Sequence, residues 1–282
     1  MCAPSVIQQV GQELSRRQLL RLAAGALAGA VVSGSAGRAL AASPSSSARR
    51  LEFEHVADLT HVLSPDFPVF PGFEPMKVTN LVTVKANGYY ANRWDVGEHT
   101  GTHMDAPAHF VDREGIWTAE QVPPERLIAP LVVIHIHERA ARDPDAWVTV
   151  DDLLAWERRY GPIPDGAAVC MHSGWESRVG DVARYRNADA GGTMHFPGFS
   201  PEAARWLVSE RRVAGIGVDT LSLDIGPSTD FAVHLTVLGA NIWGLENLAN
   251  LATVPPAGAT LLVGAPKVGR ASGGPCRVLA VW

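Results

Sequence analysis

An α/β domain built on one large mixed sheet with flanking helices is the fold class the sequence predicts. Three observations carry it. Short apolar runs bounded by turn residues outnumber the helical segments, the two kinds are interleaved, and neither a repeat nor a second linker divides them. The predicted strands cover residues 56–60, 77–84, 89–96, 131–136, 167–171, 213–218, 240–244, 260–263 and 277–281. Two helices are marked by their caps. One follows Thr149 as N-cap, carries Leu153, Leu154 and Trp156 on its apolar face and stops at Gly161. The other has Ser200 as N-cap and Pro201 in its first position, with Ala203, Ala204, Trp206 and Leu207 behind them.

The first 50 residues differ in character from the rest. Arg16 and Arg17 precede a weakly apolar run over 22–36 made mostly of Ala, Gly and Val, the form of a twin-arginine export signal. That run is shorter than the roughly 20 residues a bilayer span needs, so no stable membrane anchor is expected. Ala39-Leu40-Ala41 has the small-x-small pattern of a cleavage site. The expected organisation is therefore a signal peptide over 1–41, a linker over 42–52 and one domain over 53–282, exported to the periplasm or beyond.

The whole chain of 282 residues is 46% apolar and 19% charged, with 24 Lys and Arg against 29 Asp and Glu. No basic block exceeds two residues, which argues against nucleic acid as a partner. Three cysteines are too few for a disulfide scaffold. Cys2 leaves with the signal, and whether Cys170 and Cys276 pair is open. Composition points to a soluble, mildly acidic protein that handles small molecules.

Chemistry concentrates between His99 and His109, where the chain reads His-Thr-Gly-Thr-His-Met-Asp-Ala-Pro-Ala-His. His99, His103, Asp105 and His109 all fall at odd positions and would share one face of an extended chain. Full extension would separate the outer two by roughly 33 Å at about 3.3 Å per residue, so the chain must fold back, most readily at Gly101 and Pro107. Imidazoles and a carboxylate brought together make a mixed N/O site suited to a divalent metal.

Other patterns carry less. No G-x-S-x-G elbow exists, and Ser173 sits in Met-His-Ser-Gly-Trp. Gly215-Ile216-Gly217 lacks the third glycine of a dinucleotide fingerprint and reads as a strand end. His135 and His137 share a face of a predicted strand and, with no acid nearby in sequence, read as structural. His172 and His195 read equally as packing or as substrate contacts.

The signature over 99–109 resembles that of the cyclase family of metal-dependent hydrolases, which includes bacterial kynurenine formamidases and isatin hydrolases. The similarity continues through Ser173-Gly174-Trp175, His195 to Gly198, Gly217 to Asp224 and Gly274 to Arg277. The resemblance implies a swivelling β/β/α-type fold, a homo-oligomer, and Zn²⁺ or Mn²⁺ held by His99, His103 and Asp105, with His109 in proton transfer. Members with two metals add a later histidine and, twelve residues on, a glutamate; His234 and Glu246 have that separation. Where the family often has an aromatic-Pro-Gly turn with Trp, this chain has Phe70-Pro71-Gly72, and Phe73 replaces a polar residue after the turn. Phe70, Phe73 and Trp94 are the expected walls for a small aromatic amide or lactam. The implied reaction is hydrolysis of a C–N bond by metal-activated water. The competing expectation is an exported metal- or solute-binding protein of the same fold without turnover.

Overall fold

A computed structural model describes residues 51–282. The expected signal peptide, its cleavage point and most of the linker lie outside the described residues.

Along the chain run β1 (Val56–Asp58), β2 (Lys77–Val82), β3 (Ala91–Asp95), β4 (His103–Asp105), β5 (Ile128–His135) and β6 (Trp147–Val148). They are followed by β7 (Ala168–His172), β8 (Gly198–Phe199), β9 (Gly215–Val218), β10 (Trp243–Glu246), β11 (Ala259–Gly264), β12 (Gly273–Pro275) and β13 (Arg277–Val281). Nine of these form one mixed sheet in the order β1-β13-β11-β5-β7-β9-β10-β4-β12. The strands from β5 to β10 pair in parallel, while those outside them pair antiparallel. The central strands are apolar on both faces because both faces are covered.

The longer helices are α1 (Val150–Tyr160), α2 (Pro201–Glu210) and α3 (Ala232–Gly239). All three pack on one face of the sheet. Leu153 and Trp156 of α1, Ala204 and Leu207 of α2, and Val233 and Val237 of α3 meet Val132, Ile134, Val169 and Met171 there. The alternate strand residues, Leu131, Val133, Ala168 and Cys170, point to a second core with Leu59, Met104, Leu245, Leu261 and Val278. Period-two alternation thus divides each central strand between two cores. Among the described residues no helix is long and apolar enough to cross a membrane.

Both predicted helices form with the predicted caps. The Thr149 hydroxyl accepts from the Asp152 amide at 3.2 Å, and the Asp152 carboxylate accepts from the Thr149 amide at 2.8 Å. The Ser200 hydroxyl accepts from the Ala203 amide at 3.0 Å. The expectation for 240–244 needs correction: β10 begins at Trp243, and Ala240 and Asn241 close α3 instead. β4, β12 and α3 have no strong local signal and form through tertiary contacts. Cys170 and Cys276 are free, buried thiols, which settles the open pairing.

Trp94 is placed away from the other predicted walls. It lies on the separate hairpin of β2 and β3, 68% exposed, and does not reach the cavity described below. Its neighbours on that hairpin and its turn, Leu81, Tyr89 and Tyr90, are exposed as well.

Candidate metal centre

The sheet brings the signature together at one end of its short strands. β4 lies between β10 and β12, so Glu246 stands opposite His103 on one side and Pro275 on the other. Asp105 is flanked by Gly244 and Gly273. A side chain at either position would crowd the centre, most severely at 273, where it would meet backbone. A Cβ at 273 would sit 2.4 Å from the Met104 carbonyl oxygen and 2.8 Å from the His99 ring, and one at 244 would sit 3.2 Å from the Asp105 carboxylate.

The predicted fold-back occurs at Gly101, whose φ of +70° lies in the left-handed region. Its carbonyl accepts from His103 Nδ1 at 2.8 Å and from the Asn247 side-chain amide at 2.9 Å. This fixes the His103 tautomer and turns Nε2 inward. There Nε2 lies 3.3 Å from Asp105 Oδ1 and 3.4 Å from Glu246 Oε2. The second turn, Pro107–His109, is a short 3₁₀ segment that returns His109 onto His99, with ring centroids 3.6 Å apart and planes 18° apart.

His99 is fixed from both sides. The Ser272 hydroxyl donates to the Glu98 carboxylate at 2.5 Å and therefore accepts from His99 Nε2 at 2.8 Å. A neutral His99 then turns its Nδ1 lone pair toward Asp105 Oδ1, 2.7 Å away. Two facing lone pairs need a proton or a cation between them.

His234 enters from α3. Asp224 accepts from the Val233 amide at 2.8 Å, from the His234 amide at 3.2 Å and from His234 Nδ1 at 2.6 Å. One buried carboxylate thus starts the helix and fixes the ring. His234 Nε2 is left 3.1 Å from Glu246 Oε1 and 3.6 Å from Asp105 Oδ2. His103, Asp105, His234 and Glu246 are each at most 6% exposed.

These residues fit a divalent cation. His103 Nε2 and Asp105 Oδ2 are buried and make no hydrogen bond, a state that is costly without another partner. Donor separations of 3.3–3.6 Å around them are close to the roughly 3.3 Å edge of a tetrahedron with ligand bonds of about 2.0–2.1 Å. Two donor triads, His99-Asp105-His109 and His103-Asp105-Glu246, each have ligand atoms within 4.8 Å of one another and share Asp105.

Without a cation, protons take its place. Burial disfavours the His103 imidazolium, but the charges of Asp105 and Glu246 outweigh it and raise its pKa to about 9. Burial likewise opposes charge on His234, and its contacts with Asp105, Asp224 and Glu246 raise it well above the usual range. Burial would raise Asp105, yet His103 pulls it well below the carboxylate range.

The sign of the pH dependence follows. A raised folded-state pKa on His103 stabilises the metal-free protein fully below pH 6.5 and loses that effect as pH rises through about 9. The His103 contribution is on the order of 3 kcal/mol at 1.36 kcal/mol per unit. Urea unfolding of chelator-stripped protein should therefore show falling stability from pH 6.5 to 9.5, and the metal-loaded protein should not. Parallel profiles for the two forms would contradict the proton-for-metal exchange.

His109 differs from the rest. Burial lowers its pKa to about 4, with His99, His234 and His103 adding to the effect against the pull of Asp105. Among the described residues none hydrogen-bonds its ring. It lines a cavity of about 130 Å³ with His99, His103, His234 and Glu246 on the polar side. Phe70, Phe73, Phe110, Leu221 and Phe231 form the apolar side. Phe70 and Phe73 both belong to this lining. Phe110 and Phe231, which the sequence did not mark, flank His109 and α3 directly.

The remaining quoted segments serve as support. Asp219 accepts from the amides of Ser173, Gly174 and Trp175 at 2.8–3.2 Å and from the Ser173 hydroxyl at 2.5 Å. It thereby holds the turn after β7. His195 pairs with Asp145 at 2.8 Å and is not part of the cavity lining.

Asp224 is the strongest addition to the residues that the sequence marks for the site. Asp224→Asn is expected to weaken metal binding 10–100-fold, the usual cost of losing a carboxylate behind a ligating histidine. Metal titration of the stripped protein measures this, and unchanged affinity would remove Asp224 from the site.

Residues 57–225 match the family described as "Putative cyclase". An isatin hydrolase from Roseibium aggregatum is 36% identical over 242 residues, covering 80% of this chain and 91% of that protein. A kynurenine formamidase from Bordetella avium is 27% identical over 202 residues, covering 71% and 84%. Among solved structures, isatin hydrolase A from Ralstonia solanacearum is 41% identical with a TM-score of 0.75, covering 80% of this chain and 91% of that one. An isatin hydrolase bound to the product analogue thioisatinate is 33% identical with a TM-score of 0.76, covering 80% and 92%. With the signature, the sheet and the match to most of its domain in agreement, the chain belongs to the cyclase family of metal-dependent hydrolases.

Proposed function

We propose that the protein hydrolyses the C–N bond of a small aromatic lactam of the isatin type, with arylformamides as the second class. The observation that carries this is His109. Its ring has no hydrogen-bond partner among the described residues and faces a cavity that joins an aromatic wall to the cluster centred on Asp105. A volume of about 130 Å³ is near that in which an apolar cavity takes one benzene-sized ring. Relatives named isatin hydrolase match at 33–41% identity, against 27% for the kynurenine formamidase, which supports the lactam over the formamide.

His99, His103 and Asp105 are the proposed ligands, with His234 and Glu246 completing the set, for Zn²⁺ or Mn²⁺. When bound, the cation supplies Lewis acidity and lowers the pKa of a water molecule. The chain's own residues do the rest. Phe70, Phe73, Phe110 and Phe231 hold the substrate ring and exclude bulk water. His109, neutral at physiological pH, accepts the proton from the attacking water and returns it to the leaving nitrogen. The carbonyl carbon gains an oxygen, the C–N bond breaks, and the products are a carboxylate and a free amine. A binder without turnover has no use for His109 in this position.

The test is turnover by the metal-loaded protein of isatin and of an arylformamide, followed by absorbance. Lactam opening with the larger kcat/KM is expected. Binding of both compounds with hydrolysis of neither would overturn the reading.

A further inference from the structure

A second histidine cluster lies outside this centre. His135 ends β5 and His172 ends β7, paired in register across the parallel strands. His137 opens the helical turn His137–Ala140 immediately after, so it is not on the strand as the sequence predicted. The Ile136 amide donates to the His172 carbonyl at 2.9 Å and locks this corner together. The three rings converge, with centroids 5.0 Å apart for His135 and His172, 5.1 Å for His137 and His172, and 6.0 Å for His135 and His137. His172 is 6% exposed, while His135 and His137 face solvent.

The contact between His135 and His172 is informative. Their Nδ1 atoms lie 2.8 Å apart, a distance that accommodates one proton, so one imidazole donates and the other accepts. No carboxylate is hydrogen-bonded or ion-paired to either ring among the described residues. Burial lowers the pKa of His172 to about 4 and also lowers that of His135, with the neighbouring histidines adding to both effects. Three converging imidazoles, with no acid to orient them, are what a cation of the zinc–copper group takes as ligands.

From this geometry we infer that His135, His137 and His172 form a second metal site for a borderline-soft divalent cation such as Cu²⁺ or Zn²⁺. One nitrogen from each ring lies within 4.8 Å of the others. A tetrahedral ion with bonds of about 2.0–2.1 Å needs separations of roughly 3.3 Å, which the two exposed rings reach by small rotations. The cation occupies the place of the shared proton. The shared proton moves to the distal nitrogen of its own ring, so it stays on the His135–His172 pair and both Nδ1 atoms are freed for the cation. The fourth position opens on a cleft lined by His137, Ser173, Trp175, Ser177 and Arg178, where water completes the shell. The site rests on strand ends of the rigid sheet and is independent of the hydrolytic reading.

The experiment uses the metal-loaded enzyme, dialysed against Cu²⁺, in the parent chain and in a His135→Gln/His137→Gln variant. The parent should bind one more Cu²⁺ per chain than the variant. Its electron paramagnetic resonance spectrum should show coupling to several imidazole nitrogens that the variant lacks. Hydrolytic turnover should be equal in the two proteins. His137→Gln alone keeps the His135–His172 hydrogen bond and so guards against misfolding; it should weaken this Cu²⁺ site by more than 100-fold, beyond the 10–100-fold that loss of a supporting partner costs. Equal Cu²⁺ stoichiometry and the same spectrum in parent and variants would overturn the site.

Discussion

Asp105→Ala is expected to empty the centre of metal and abolish measurable turnover. Asp105 is the residue that both donor triads share. Its Oδ1 faces His99 at 2.7 Å and His103 at 3.3 Å, and its Oδ2 faces His234 at 3.6 Å. Removing it takes a ligand from each triad at once, so the loss of affinity should exceed the 10–100-fold that supporting residues cost. A second effect appears without metal. Asp105 supplies most of the charge that holds His103 protonated in a fully buried position, and a buried charge left without its partner costs about 3–5 kcal/mol. The metal-free variant should accordingly be less stable than the metal-free parent at pH 6, and the gap should narrow toward pH 9.5 as the parent loses its own imidazolium. Metal content and urea unfolding on the same preparations read both effects. A variant that keeps one equivalent of metal at the parent's affinity would sink the assignment.

The part of this site that is contiguous in sequence was legible in sequence. His99, His103, Asp105 and His109 lie within eleven residues, and the turns that gather them are marked by Gly101 and Pro107. Their convergence needs no knowledge of the sheet. His234 and Glu246 were placed only through the family spacing, because α3 is short, has no distinct apolar face and has no capping side chain of its own at its start. Its first turn is held by Asp224, ten residues before His234, a contact that no local pattern encodes. Gly244 and Gly273 were illegible for a similar reason. Their meaning comes from flanking Asp105 across two ladders, and in isolation they read as turn residues. Trp94 shows the opposite case. An aromatic residue near the signature looks like a pocket wall, but the β2–β3 hairpin carries it away from the cavity. Phe110 and Phe231 close that wall because the backbone turns next to His109 and α3 point them inward. The central strands and the two capped helices were read with small boundary shifts, since their signals are hydrophobic runs and caps within one segment.

His109→Ala separates proton transfer from metal binding. His109 and His99 are stacked, and the donor atoms of His99, Asp105 and His109 lie within 4.8 Å of one another, so proximity alone allows His109 to act as a ligand. Its environment argues for the other role. Among the described residues none fixes its tautomer by a hydrogen bond, unlike His99, His103 and His234, each of which is oriented by a partner on one nitrogen. An unfixed ring facing the cavity suits a group that takes a proton and gives it back. The variant should therefore keep its metal content and its substrate affinity, while kcat falls by roughly 10²–10⁴, the usual contribution of a positioned general base and acid. Loss of metal together with activity would place His109 among the ligands instead. Undiminished kcat in a metal-replete variant would falsify the proton-transfer role, and the attacking water would then have to lose its proton to another residue of the cavity, whose lining holds one carboxylate, Glu246.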